Sequence, residues 1–182
     1  MESHARPGIK RTLEVRLSRR LSADELRELA LQLKAMDPRD YPRTFIAYYL
    51  PGMSVGTGAW ATSHFSPDLK VEILGLNQAQ ASDLSNDLDA TNQQLIGRWL
   101  LDTPGLAGRV SIFRENGRAF LEWSFRAGGS QRMEVVETMS PLGRRFDAVR
   151  RSSGSDHWIV TEDGNLELRD NDGLTATAVK IE

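Results

Sequence analysis

Apolar and polar positions alternate near the start of the chain. In RTLEVRLSRRL, Leu13, Val15 and Leu17 share one side while Glu14, Arg16 and Ser18 share the other. A period of two is that of a half-buried strand. The period then lengthens: in SADELRELALQLKAM, Leu26, Leu29, Ala30 and Leu33 recur at helical intervals, and Ser22 and Glu25 have the spacing of a capping box. Pro38 and Pro42 cannot continue a helix, which ends before them. Three further strands are predicted in RTFIAYYL, GTGAWATSHF and KVEILGL, joined through PGM and SPD. The order is β-α-β-β-β, with one helix expected on an antiparallel sheet.

The stretch from Asn77 to Gln94 is polar and acidic, with Leu84 and Leu88 as its apolar anchors, and reads as a linker with room for a short helix. Beyond it the strands are short and the turns explicit: ENG, AGG, EDG and DNDG supply residues that tolerate the positive φ of tight hairpins. The ladder runs from RWLLD through VSIFRE, RAFLEWSFRA, RMEVVETM, RRFDAV, HWIVTE and LELRD to TATAVKIE. That is enough strands to close a small antiparallel barrel or meander. The expected fold class is α+β: an α+β domain over residues 1–76, a polar linker over 77–94, and a small all-β barrel over 95–182.

GAWATSHF places a serine beside a histidine, a pairing that invites a catalytic reading. Neighbours on a strand point to opposite faces, so Ser63 and His64 do not face one another. Trp60, Thr62 and His64 share one side; Ala59, Ala61, Ser63 and Phe65 share the other, a shallow surface on which the helix can sit closely. Packing accounts for the small residues, and a lone histidine without an orienting partner is a poor general base.

Composition narrows the function classes further. The 182 residues carry 23 basic and 25 acidic side chains, a formal charge of −2, so there is no bulk attraction to nucleic acid or anionic lipid. No cysteine is present, which removes disulfides, thiolate metal sites and cysteine nucleophiles. No apolar run approaches the roughly 20 residues of a spanning helix. The composition is that of a soluble chain, cytoplasmic as written, or periplasmic or exported if a leader was trimmed. His4, in a tail, and His64 and His157 lie too far apart for metal-ligand spacing.

DNDG lacks the rest of a calcium loop and reads as a hairpin turn, and PGMSVGTG lacks the lysine and following helix of a phosphate loop. Glu134 and Glu137, three apart on a strand, face opposite sides and read as solvated rather than as an acid and base pair. Arg144, Arg145, Arg150 and Arg151 form the densest basic cluster, with Phe146 among them; Asp147 partly neutralises a solvated strand pair. No catalytic residue, metal or cofactor is expected from these motifs.

KRTLEVRLSRRLSADELRELALQL followed by RTFIAYYLPGMSVGTGAWATSHFSPDLKVEILGL resembles a bacterial family of no assigned activity, marked by a YLPGM turn and a GAWATxHFxPxLxVxI strand pair, over residues 9–76. The resemblance carries no catalytic residue with it, and is compatible with export. LIGRWLLD, with Gly97-Arg98-Trp99 leading into a meander, is similar to the Gly-x-Trp start of lipocalin-like barrels.

Three function classes follow. The leading expectation is a non-catalytic interaction module that presents aromatic and arginine side chains to a protein partner, because Trp, Tyr and Arg dominate interface energetics. The alternative is a carrier of a small apolar ligand in the C-terminal barrel, lined by Trp99, Trp123 and Phe125. A hydrolase using His64 is the third. The candidate ligand or partner residues are Trp60, His64, Trp99, Trp123, Arg145 and Arg150.

Overall fold

The computed structural model of the chain describes residues 2–6, 10–56, 58–86, 94–150 and 156–181. The features read at Thr57, Leu88 and Arg151, and residues 87–93 of the polar stretch, lie outside the described residues. The chain divides into two compact units, Met1–Ala79 with Thr103–Gly105, and Gln80–Asp102 with Leu106–Glu182.

The first unit contains β1 (Glu2–Arg6), β2 (Lys10–Arg16), α1 (Ala23–Ala35), β3 (Thr44–Tyr49), β4 (Ala61–Phe65) and β5 (Leu69–Ile73). They form one sheet in the order β1-β2-β3-β4-β5. Two expectations are corrected. The sheet is mixed rather than antiparallel, because β2 and β3 run parallel. α1 carries the chain back to the starting end of the sheet between them, the crossover a parallel pair requires. An additional strand, β1, pairs antiparallel with β2, so His4, read as part of a tail, stands opposite Thr12 in a ladder.

Both ends of α1 are satisfied. Ser22 Oγ accepts from the Glu25 amide at 3.1 Å, and Glu25 Oε2 accepts from the Ser22 amide at 2.7 Å, completing the capping box. At the other end the buried Arg11 donates from Nη1 to the Leu33 carbonyl at 2.9 Å, placing a cation at the negative pole of the helix. Leu26, Ala30 and Leu33 pack with Leu13, Ile46, Tyr48, Ala61 and Phe65 in one apolar cluster. The small side chains of β4 therefore lie in the helix-facing layer, as the alternation predicts.

α2 (Gln78–Asn86) occupies the polar stretch. Ala81 is buried, and the Leu84 carbonyl accepts from Arg109 Nη1 at 3.1 Å. The strands that follow are β6 (Gln94–Leu101), β7 (Gly108–Glu115), β8 (Arg118–Phe125), β9 (Ser130–Ser140), β10 (Gly143–Ala148), β11 (His157–Val160), β12 (Leu166–Asp170) and β13 (Gly173–Lys180). Each pairs antiparallel with the next, and β13 returns to pair with β6, closing an eight-stranded barrel. The hairpins obey their turn residues: Asn116 and Gly117, with φ of 50° and 79°, make the turn between β7 and β8.

Candidate functional site

Paired positions across antiparallel strands project to the same face, so the register sorts the barrel side chains. Trp99, Val110 and Trp123 stand side by side across β6, β7 and β8 on the inner face. Their rings diverge from that level. Trp99 folds back over Gly97, where an added Cβ would lie 2.5 Å from its ring, and donates from Nε1 to the Gly164 carbonyl at 2.8 Å in the β11–β12 turn. The Gly-x-Trp spacing thus has a local cause: a side chain at position 97 would occupy the space of the indole. Trp123 turns the other way, packing 5.2 Å from Phe125 and edge-on to Trp158 at 5.4 Å between centroids. With Ile112, Leu121, Phe146, Leu166 and Leu168, these rings fill the interior.

At the end of the barrel where β7 and β9 finish, the inner face becomes charged. Glu137 lies beside Phe146 in the register, and Arg144 two residues before it. Glu137 accepts from Arg144 Nε at 2.7 Å through one oxygen and from Arg114 Nη2 through the other. The Arg144 hydrogen bond, reinforced by Arg114, holds the Glu137 carboxyl below its ordinary range against the opposing effect of burial. Glu137 is therefore an ion-paired anchor shared by two guanidinium groups, which corrects its reading as solvated. Glu134, on the outer face, lies 3.8 Å from Arg118. Arg114, Arg118, Ala119, Val135, Glu137 and Met139 line a groove of about 620 Å³ beside β9.

The hairpin formed by β9 and β10 also concentrates exposed apolar side chains. Val136 is 51% exposed, Met139 77%, Leu142 48% and Val149 50%. Among the described residues of the second unit, Ile181 is the other large apolar side chain so exposed. Isolated exposed apolar residues are ordinary; of these four, Val136 and Val149 share the outer face with Glu134, whereas Met139, three residues beyond Val136, faces the other side.

The six predicted site residues are dispersed. Trp60 is fully buried and donates from its indole to the Leu76 carbonyl at 2.9 Å, so it serves the core of the first unit. His64 lies on the sheet face opposite the helix, 6.1 Å from the Phe45 ring; among the described residues it makes no hydrogen bond or ion pair. Ser63, on the other face, accepts from the Tyr48 hydroxyl at 3.1 Å. Trp99 and Trp123 are buried in the barrel. Arg145 forms a two-pronged pair with Asp147 at 2.7 and 2.8 Å, which raises its pKa. Arg150 is exposed beyond the end of β10.

Of these, Arg145 and Arg150 lie on or beside the β9–β10 hairpin. Arg114, Glu137 and Met139 were missed as site residues. Alternation marks Arg114 and Met139 only as strand positions and Glu137 only as a solvated carboxylate, and no sequence signal says which strand outruns its neighbour.

Among the described residues no three His, Asp or Glu side chains converge, and no helix is long and apolar enough to cross a membrane. Comparison of the chain with protein-family models, with curated proteins and with solved structures finds no match.

Proposed function

We propose that this protein is a non-catalytic interaction module whose docking surface for a protein partner is the β9–β10 hairpin of the barrel. The observation that carries this reading is the exposed apolar pair Val136 and Val149 on the outer face, next to a groove bordered by Arg114 and Arg118. An exposed apolar patch rimmed by charge is the composition of an interface. The test is affinity capture from a lysate of the source organism with the wild type and with the V136D/V149D double variant. Both positions are about half exposed, so the variant keeps its fold within roughly 1 kcal/mol. A specific protein retained by the wild type and lost by the variant supports the reading; identical captured sets overturn it.

A second reading, the carrier of a small apolar ligand, is favoured by a separate observation. Among the described residues, the buried Trp123 Nε1 has no hydrogen-bond acceptor. A buried donor of this kind is costly to leave unanswered, and a ligand with an oxygen acceptor would answer it. The filled interior opposes this reading, because a small barrel packed with side chains has little room for cargo. Thermal stabilisation by apolar ketones or fatty acids that is lost in Trp123→Phe, which keeps a ring but removes the donor, would favour the carrier over the interaction module.

A further inference from the structure

Strand β9 outruns β8. Alternate residues of an antiparallel strand turn their amides to opposite neighbours. The Val149 amide donates to the Glu134 carbonyl at 2.9 Å, so Glu134, Val136, Thr138 and Ser140 bond to the β10 side. Val135, Glu137 and Met139 face the other way. On that side the pairing with β8 ends at Ala119, opposite Val135, whereas β9 continues against β10 as far as Ser140. Among the described residues, the N–H and C=O groups of Glu137 and Met139 therefore have no strand beside them, and they border the groove described above.

Two residues along a strand span roughly 6.6 Å, and a row of backbone groups at that interval is matched by another extended chain. Two protections of a strand edge are missing here: residues 137–140 are Glu-Thr-Met-Ser, with no lysine or proline before Pro141 in the turn, and Glu137 is the one charged side chain among them. The charge around the edge is unbalanced. On the inner face Arg114 and Arg144 share the single Glu137 carboxylate, leaving one guanidinium charge in excess, while on the outer face Arg118 has Glu134. A second copy would bring the same positive surplus against itself, whereas an acidic chain would neutralise it.

We propose that an extended acidic segment of a partner polypeptide adds to β9 as an extra strand, bonding to the backbone of Glu137 and Met139 and offering a carboxylate to Arg114 and Arg144. This deepens the interaction reading above and rests on it.

The probe is a displayed library of random peptides about a dozen residues long, selected on the full chain, with the best binder then measured by fluorescence anisotropy. The expected binders alternate apolar residues and carry Asp or Glu. Met139→Pro removes an amide that faces away from β10, so the barrel ladder stays intact while the edge is blocked. We expect Met139→Pro to weaken the peptide by about tenfold or more and Met139→Ala, which keeps the amide, by less than about threefold.

Arg114→Glu, at a side chain 43% exposed, should weaken it by about tenfold as well, and serves as the test if the proline variant does not fold. Selection of basic peptides, failure to select any, or equal binding by Met139→Pro overturns the proposal. So does self-association of the wild type that Met139→Pro abolishes, which would assign the edge to a second copy. If a captured partner is lost in V136D/V149D but kept in Met139→Pro, the interaction reading stands and the strand-addition proposal falls.

Discussion

The two units solve the edge problem of a β-sheet in different ways. The barrel joins eight strands by successive hairpins and closes β13 on β6, so almost every strand has two neighbours. The first unit leaves its sheet open, with β1 and β5 as edges, and covers one face with α1. Closure removes edges only where paired strands have equal length. β9 is eleven residues long against eight in β8, and the surplus reopens a short edge in an otherwise closed sheet. In the open sheet small residues let a helix approach, while in the barrel Gly97 makes room for the Trp99 indole. The same device, removal of a side chain, therefore serves a layer in one unit and a ring in the other.

The sharpest break of this comparison is Trp99→Ala. Its indole is fully enclosed and hydrogen-bonded to Gly164, and removing it from a filled barrel should cost about 3–5 kcal/mol in chemical denaturation. A loss below about 1 kcal/mol would show that the barrel does not depend on its ring packing. Ala61→Leu tests the layer in the first unit. Added bulk under α1 should destabilise by about 1–3 kcal/mol, with hydrogen exchange accelerated in β4 and α1 rather than in the barrel strands.

Ser22→Ala removes one half of the capping box and should cost about 1 kcal/mol. The other half makes the effect pH-dependent. The Arg19 hydrogen bond, followed by the Ser22 amide, lowers the Glu25 pKa from 4.5 to about 2. A depressed carboxyl stabilises the fold above its unfolded value and loses that contribution as pH falls through the folded one. The Glu25 contribution should therefore be complete above about pH 5 and fade between pH 4.5 and about 2, a slope absent from Glu25→Gln when helicity is followed by circular dichroism. The smallest effect belongs to His64→Ala, with a change below about 1 kcal/mol in melting experiments. Loss of partner capture with an unchanged melting temperature would instead place a site on the open sheet face.

The hydrophobic pattern carried much of this architecture. Leu26, Ala30 and Leu33 announced the buried stripe of α1, Ser22 and Glu25 announced its cap, and eight alternating segments with Asn-Gly and Asp-Gly turns announced the barrel strands. These are local properties, set by dihedral preference and by periods of two and 3.6 residues. The parallel pairing of β2 and β3 was not legible, because a strand has the same alternation whichever way its neighbour runs. β1 was missed for a related reason: ESHAR has no apolar alternation, and its place comes from backbone bonds to β2.

The candidate site shows the same division. Sequence alone determined that Ser63 and His64 point apart, that Glu134 and Glu137 occupy opposite faces, and that Arg145 has Asp147 two residues away on its own side. Only the tertiary structure decided that Trp60 is enclosed in a core, that Glu137 holds Arg114 and Arg144 together, and that β9 extends past β8. Parity along a strand is fixed by the covalent chain. Ion pairs across strands and the relative lengths of neighbours depend on register, which is settled when distant segments pair and bury their apolar faces.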